Sequence, residues 1–526
     1  MAPVNCLFLH IPKSKIGCRS SRHCFNLDTF PTELLGLADL LSSNDISSEI
    51  VHLDLEKLED PRFSILHYIG EKKPRIAAFD LHWHDQSFEV IEAVKEIKAA
   101  FPSLFILLAG HTASFYHEEI LDRFSEVDGV LRGETELPLL ELARTLLARE
   151  EDLFSIPNLS WRRKGRVLIN PLSYAASEED LNRLRFTRFP LLKSYSTFIR
   201  YAPHPFCMGG KLNDKNWRKH PVQSRVFHLP VGRGCPVQCT WCGGGVSCQE
   251  TISGRTKVIF RNEEKVLESI EEAVSYGFGT FHISFDPSPQ NPEYFLRLFS
   301  RVREKGLSVE CLFECYGLPT IPFIQAFKET FPGPRSRLIL SPDAGSDRLR
   351  KTHKGFAYTN RALMESLQEL RRCGVLCELF FSLGIPFEEE KDINQMAQLQ
   401  NEIRSHYPNV KRIRTFVLGM EPGSPWQADP EVFGIATSLR SFMDYYHFHS
   451  GDESPCPSPG YWIPDHFEGA VDEEDFKKIL QKMKCRRFCS YYPGEGKTSD
   501  PYWGKKLCDL STLYWKAKDW LQGKRA

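Results

Sequence analysis

The sequence predicts an α/β protein in which a doubly wound parallel sheet is followed by a partial parallel barrel and a small, mostly helical carboxyl-terminal domain. Two observations predict the sheets: apolar runs alternate with amphipathic helical stretches between residues 4 and 150, and the same alternation returns between 226 and 430. A third observation is that glycine and polar residues follow the apolar runs. Parallel sheets bind ligands at those strand ends, so the candidate sites lie there.

Residues 1–150 are predicted to form a Rossmann-like domain. The runs VNCLFLHI, EIVHLDL, RIAAFDL and LFILLAG are strand-like, and segments such as SFEVIEAVKEIKAAF between them have helical periodicity. The loops at the strand ends are 79–86, 109–114 and 131–136. Glycines in two of these loops indicate places where the backbone passes close to another group.

The rest of the chain divides into three parts. Residues 151–225 are predicted to be a linker with a small hairpin at SWRRKGRVLINP, and six strand-like runs within 226–430, each with a polar loop behind it, predict a partial (β/α)6 barrel. Residues 431–526 are aromatic and proline-rich, with two or three helices. We expect the active site on the carboxyl-end loops of the barrel.

Composition excludes several classes of partner. The 526 residues carry a formal net charge of -1 with 26% charged residues, which favours neither nucleic acid nor an anionic membrane surface. No apolar stretch approaches the roughly 20 residues that span a bilayer, and MAPVNCLFLHIPKSK lacks the basic leader of a secretory signal. We therefore expect a cytoplasmic protein with no nucleic acid or membrane partner. Its 16 cysteines are spread out, which favours reduced thiols and a metal site.

The strongest chemical signal is GRGCPVQCTWCGGG, which follows the first barrel strand. Cys235, Cys239 and Cys242 have the spacing C-x3-C-x2-C. Structural zinc usually takes four protein ligands, and Cys248 is the nearby candidate for a fourth. Three thiolates with a vacant position match instead a 4Fe-4S cluster that leaves one iron open to an exogenous ligand.

This motif, with an aromatic residue before its last cysteine, resembles the radical S-adenosylmethionine (SAM) superfamily. Later segments resemble that family in order: HISFDPSP at 282–289, LILSPDAGSDRLRKTHKG at 338–355, FFSLGIPFEEE at 380–390 and VLGMEPGSP at 417–425. The resemblance implies that the open iron chelates SAM, and that one electron cleaves SAM to a 5'-deoxyadenosyl radical. It also implies a one-electron reductant of the flavodoxin or ferredoxin type.

The resemblance transfers a set of SAM contacts to this chain. The residues so predicted are Gly243, Gly244, Ser284, Asp286, Ser341 and Asp343. Asp343 stands where the family has glutamate, and its shorter stem reaches less far. Its alternative role is to cap the following helix, for which Ser346 is better suited.

The segment 110–142 resembles the cobalamin-binding domain that precedes the barrel in one radical SAM class. The residues predicted from it to contact cobalamin are Gly110, His111, Thr112, Ser114, Gly133, Glu134 and His82. The D-x-H-x-x-G loop that supplies a cobalt-ligating histidine elsewhere is absent, so no lower histidine ligand is expected. His111 replaces the second glycine of the usual pair, and an empty, vestigial domain remains the alternative.

The resemblance implies a cobalamin-dependent radical SAM methyltransferase that acts on an unactivated carbon of a small metabolite or peptide natural product. The alternatives are a non-methylating radical SAM enzyme and a non-catalytic iron-sulfur or cobalamin binding protein. No catalytic residue is predicted. Cys485, Cys489 and Cys508, with Cys456, are candidates for an auxiliary cluster or for inert buried thiols.

Overall fold

The computed structural model describes residues 4–12, 32–150, 152–201, 225–450 and 461–462. They form two parallel sheets with helices packed against them, which confirms the predicted α/β architecture. The candidate auxiliary cysteines Cys456, Cys485, Cys489 and Cys508 lie outside the described residues.

The first sheet has seven strands: β1 Cys6–His10, β2 Ser48–His52, β3 Ile76–Asp80, β4 Phe105–Ala109, β5 Gly129–Leu131, β6 Leu159–Arg163 and β7 Arg166–Ile169. Their order is β2-β1-β3-β4-β5-β6-β7, with the first five parallel and the last two antiparallel. The strand order runs outward in opposite directions from the adjacent strands β1 and β3. Doubly wound sheets bind ligands at such a switch point.

Helices cover both faces of this sheet: α1 Glu33–Ser42, α2 Leu53–Glu59, α3 Ile65–Lys72, α4 Ser87–Ala100, α5 His111–Phe115, α6 His117–Arg123, α7 Glu136–Leu147, α8 Glu178–Arg183 and α9 Tyr195–Tyr201. Alternate strand residues face opposite sides. Phe8 packs in one core with α1 and α7, and Leu7 packs in another with α4 and α6.

The β6–β7 hairpin lies beyond residue 150, the predicted end of the first domain, and extends the first sheet. The hairpin forms as expected, but β6 pairs with β5, through Val130 and Ser160, instead of standing in a linker. Trp161 is buried in the same core as α1 and α7. Burial of this indole explains why the first sheet continues through Ile169.

The second sheet supplies the barrel, and the strands of this region are β8 Val226–His228, β9 Gly232–Arg233, β10 Ile259–Phe260, β11 Thr280–Ile283, β12 Glu310–Cys315, β13 Arg337–Asp343, β14 Leu376–Leu383 and β15 Val410–Val417. Six of them pair in parallel in the order β15-β14-β13-β12-β11-β8. β8 and β15 are the two ends of this order, so the barrel is open. The short strands β9 and β10 pair with each other beside the cysteine loop.

The helices of the barrel region are α10 Val246–Ser253, α11 Glu263–Ser275, α12 Glu293–Glu304, α13 Ile321–Thr330, α14 Asp347–His353, α15 Asn360–Arg372, α16 Glu390–His406 and α17 Pro425–Ala428. The outer face of the sheet packs with them in the large core that also contains Phe8. A separate cluster of Val226, Leu312, Ile339 and Phe380 fills the inside of the barrel.

The segment after the barrel returns to the first domain. It contains β16 Ala436–Thr437, α18 Phe442–Ser450 and β17 Tyr461–Trp462. Glu119 of α6 accepts the backbone N–H groups of Phe442 and Met443 at the start of α18, at 2.7 and 3.1 Å. The Tyr445 hydroxyl donates to the Met420 carbonyl at 2.9 Å, so α18 joins the first domain to the barrel mouth. Among the described helices, none has the length and apolar character to cross a membrane.

Candidate active site

The cysteine loop is held in shape by Gln238, which lies between the first two cysteines. Its amide Nε2 donates to the carbonyls of Cys239 and Cys242, at 3.0 Å each. Its Oε1 accepts the N–H and the hydroxyl of Ser247 at the start of α10, at 3.2 and 2.7 Å. The Gln238 amide thus fixes both ends of the loop, a role that residue spacing does not reveal.

Two backbone N–H groups point at the cysteine sulfurs. Gly355 N–H donates to Cys239 Sγ at 3.2 Å, and Gly244 N–H donates to Cys242 Sγ at 3.3 Å. Burial raises the pKa of all three thiols, and neighbouring Glu421, Cys239 and Cys235 raise that of Cys242 further. N–H donors stabilise the negative charge on a thiolate sulfur.

Three cysteine thiols are the protein donor set that a 4Fe-4S cluster with one open iron takes. Among the described residues, no three His, Cys, Asp or Glu side chains converge on one metal position. A 4Fe-4S cluster takes its thiolates on three different irons, so the thiols need only surround a common space. Cys248, the candidate fourth zinc ligand, is buried on α10 with its sulfur 3.9 Å from His111 Nε2.

The end of α14 clamps the cysteine loop from the barrel side. His353 Nε2 lies 2.9 Å from the Pro386 carbonyl and donates to it, so its Nδ1 accepts the Thr240 hydroxyl at 2.8 Å. Thr240 N–H also donates to the His353 carbonyl at 2.9 Å. Burial lowers the pKa of His353 to about 4, and the ring is neutral in this arrangement. The resemblance covered this segment without assigning a role to His353.

Ser346, and not Asp343, caps the helix that follows β13. Asp343 has a left-handed backbone, with φ of 57°, and its carboxylate forms an ion pair of 2.9 Å with Lys354 Nζ. Ser346 Oγ accepts the Leu349 N–H at 3.4 Å and is the N-cap of α14. Ser341 lies two residues before Asp343 on β13 and is half-buried. The SAM contacts of Ser341 and Asp343 remain predictions.

Ser284 and Asp286 follow β11 and share Tyr316 as a partner. The Tyr316 hydroxyl donates to the Ser284 carbonyl at 2.7 Å, and its backbone N–H donates to Asp286 Oδ2 at 3.1 Å. Burial raises the pKa of Asp286 to about 7, and the Tyr316 N–H opposes this shift. Tyr316 was not singled out from sequence. Its position directly after a strand was the available signal.

Gly243 and Gly244 differ sharply in their surroundings. Gly243 N–H donates to Glu421 Oε2 at 2.8 Å, and a Cβ at Gly243 would lie 2.4 Å from the Pro422 carbonyl oxygen. A Cβ at Gly244 would meet only Cys242 Sγ, at 3.6 Å. Glu421, which sequence reasoning missed, therefore lies against the cysteine loop, and burial raises the pKa of its carboxyl.

Three loops of the first domain meet at the ends of its strands. Thr112 donates to the His82 carbonyl at 2.9 Å, and Ser114 Oγ donates to the Gly110 carbonyl at 2.6 Å while accepting the Gly133 N–H at 2.8 Å. A Cβ at Gly110 would lie 2.8 Å from the backbone nitrogen of His82. These predicted cofactor contacts thus also hold the β3, β4 and β5 loops together.

His111 and His82 face the barrel. His111 Nε2 donates to the Pro422 carbonyl at 2.9 Å, which joins the first domain to the cysteine loop through Gly243 and Glu421. The rings of His82 and His111 lie 6.1 Å apart. The His82 ring is accessible, yet burial lowers its pKa to about 4.

Glu134 is taken up by the domain interface. Its Oε2 accepts Arg255 Nη2 at 2.6 Å and the Ala176 N–H at 2.7 Å, and a second Arg255 nitrogen contacts Oε1. Arg233, which precedes the cysteine loop, lies 3.5 Å from the same carboxylate. Burial raises the pKa of Glu134, but the two arginines outweigh it and the pKa is lowered. Its predicted contact with cobalamin stays untested by this geometry.

Comparison with known proteins identifies the barrel. Residues 229–399 match the radical SAM superfamily. The anaerobic magnesium-protoporphyrin IX monomethyl ester cyclase of Cereibacter sphaeroides is 24% identical over 217 residues, which are 41% of this chain and 31% of that protein. The hopanoid C-3 methylase of Methylococcus capsulatus is 34% identical over 88 residues, 16% of this chain and 17% of that protein. The matches span less than half the length of these curated relatives.

Solved structures extend the similarity to both domains. The radical SAM methyltransferase TsrM of Kitasatospora setae, with cobalamin and a [4Fe-4S] cluster bound, superposes with a TM-score of 0.60 and 15% identity. The superposition covers 87% of this chain and 84% of TsrM. The two proteins therefore share a fold across the first domain and the barrel.

Proposed function

We propose that this chain, whose barrel is a radical SAM domain, is a cobalamin-dependent radical SAM enzyme that methylates carbon. The observation that carries the proposal is the junction at Gly243: the cysteine loop, the end of the last barrel strand and the first domain meet there through Glu421 and His111. The fold shared with TsrM, whose structure holds cobalamin and a cluster, supports the same assignment.

Cys235, Cys239 and Cys242 would hold the cluster, and the first-domain loops around His82 and His111 would hold the corrin against the barrel mouth. When bound, the cluster supplies the electron that cleaves SAM, and cobalamin supplies the methyl group. The chain's own residues position and enclose these groups: Gln238 fixes the loop, Gly355 and Gly244 donate to sulfur, and the Glu134–Arg255 pair closes the domain interface.

The proposed substrate is a small metabolite or a peptide natural product. The inner wall of the barrel supports this size class, because its polar residues, such as His282, lie beside an apolar cluster inside the sheet. The hopanoid C-3 methylase is named for a small-molecule substrate, and a crystal structure of TsrM holds tryptophan as its substrate.

The test is anaerobic reaction of the reduced protein with SAM that carries a deuterated methyl group. Methylation predicts that demethylated SAM accumulates beside 5'-deoxyadenosine, with label on the corrin. Deoxyadenosine alone would favour the non-methylating alternative, in which the radical drives oxidation, rearrangement or cyclisation. An absence of SAM cleavage in protein loaded with iron and corrin would favour a binding protein without turnover.

A further inference from the structure

A row of three polar side chains crosses the inner wall of the barrel, and the cysteine loop and first domain do not use it. His228 ends β8, His282 lies beside it on β11, and Glu314 lies on β12. His282 Nε2 is 2.8 Å from Glu314 Oε1, and His282 Nδ1 is 3.1 Å from His228 Nδ1. The row is linear, and among the described residues its members do not converge as ligands of one metal ion.

The hydrogen bonds of the row orient the Glu314 carboxylate. A carboxylate can only accept, so His282 donates from Nε2 to Glu314. His282 Nδ1 and His228 Nδ1 share the second hydrogen bond of the row, at 3.1 Å. Burial and the neighbouring His282 lower the pKa of His228 to about 3, so His228 is neutral. His228 therefore adds no positive charge beside Glu314.

Glu314 keeps an open acceptor in the barrel. Its side chain is 27% exposed, and its only ion pair among the described residues is with His282. Oε2 accepts no hydrogen bond from a described residue. Tyr316 follows the end of the same strand, and its backbone N–H donates to Asp286.

The layers beneath Glu314 explain why protein cations do not neutralise it. Val226 and Leu312, two residues before His228 and Glu314, belong to the apolar cluster inside the barrel. The arginines come one layer deeper, where Arg337 contacts Glu378 at 2.6 Å. Arg414 also faces Glu378, at 3.7 Å, across the Phe380 ring. The apolar layer separates this cationic floor from Glu314.

We propose that Glu314 binds the substrate through a protonated amine, and that His282 and His228 are positioning residues that hold the carboxylate toward the barrel space. The inference rests on the proposed function only in placing the substrate inside the barrel. It assigns the substrate to the class of molecules with a basic nitrogen, such as an amino acid or a peptide with a free amino group. An ammonium group supplies the cation and the donor that Oε2 lacks.

The test measures binding of amines and matched alcohols to the anaerobically purified protein in the presence of SAM. The probes are butylamine, phenethylamine and tryptamine, paired with butanol, phenethyl alcohol and tryptophol, and calorimetry gives each dissociation constant. We expect at least one amine to bind at least about tenfold more tightly than its alcohol, because a hydrogen bond to a charged group is involved. Glu314→Gln should reduce that ratio to about one.

Variants of the row and of the barrel base control for folding. Glu310→Gln, at the amino end of the same strand, should keep the wild-type ratio. His282→Gln retains an N–H donor for Glu314 and should keep more of the preference than His282→Leu. Equal binding of every amine and its alcohol to the wild type would overturn the proposal, as would an unchanged preference in folded Glu314→Gln protein.

The two proposals can fail separately. Wild-type protein that cleaves SAM but shows no amine preference would overturn only the role of Glu314. Wild-type protein that prefers amines but leaves SAM intact would overturn only the proposed reaction.

Discussion

The cysteine loop and the first-domain loops differ in how their predicted site residues are used. Around Cys239 and Cys242, backbone N–H groups point at sulfur, and the thiols are left for a bound group. In the first domain, the side chains of Thr112, Ser114 and Glu134 form hydrogen bonds with neighbouring protein groups. The cysteine motif therefore groups thiols whose sulfurs accept backbone N–H groups, whereas the predicted cofactor residues of the first domain also hold its loops together.

The largest expected difference between the regions comes from removing one thiol. Cys239→Ala should abolish SAM cleavage and remove nearly all of the bound iron. The reason is that only two of the three thiolates that hold the cluster remain. Iron analysis and deoxyadenosine formation under anaerobic conditions measure both. Cys248→Ser is the matched control, and it should retain iron. Loss of metal from the Cys248 variant would instead support a four-ligand zinc site.

The next largest effect is the loss of stability expected when the buried carboxylate of Glu134 is removed from the first domain. Glu134→Gln should lower the free energy of unfolding by about 3–5 kcal/mol, because it leaves Arg255 buried without its carboxylate. Denaturant unfolding measures the change. The exposed pair of Glu179 and Arg183 is the comparison, and Glu179→Gln should change stability by less than about 1 kcal/mol. Equal changes in the free energy of unfolding would show that the buried Glu134 network contributes no more to stability than the exposed pair.

A pH experiment addresses the same domain. Burial, with Arg132, lowers the pKa of His117 to about 4, and Ser160 donates to its Nδ1 or accepts from it at 3.0 Å. The folded state therefore binds the His117 proton more weakly than the unfolded state. The contribution of His117 to the free energy of unfolding is therefore greatest above the ordinary histidine pKa of about 6.5. It falls by roughly 3 kcal/mol in total as the pH decreases toward 4. His117→Gln should flatten the stability profile over this range, and an unchanged slope would contradict the assignment.

The smallest predicted effect compares two adjacent glycines. Gly243→Ala places a Cβ against the Pro422 carbonyl and should destabilise the protein by about 1–3 kcal/mol and reduce iron occupancy. Gly244→Ala meets open space apart from Cys242 Sγ and should stay near wild type in both measurements. Similar losses in the two variants would mean that the Gly243 junction is not a tight contact between the domains.

The sequence predicted the parts of the molecule that depend on local pattern. The strand and helix alternation, the six-strand barrel and the cysteine loop follow from periodicity and spacing within short windows. Contacts between distant segments could not be predicted this way. His111 reaches Pro422, Arg255 reaches Glu134, and His282 joins Glu314 only because the two sheets bring these residues together. The hairpin beyond residue 150 was placed in a linker for the same reason, since its pairing with β5 is not local.

The most direct test of the account is quantification of iron, sulfide, zinc and corrin in the anaerobically purified protein. The account predicts about four irons and four sulfides per chain, as one cubane cluster requires, together with corrin and no zinc. Stoichiometric zinc with four protein ligands, in place of iron and sulfide, would contradict it.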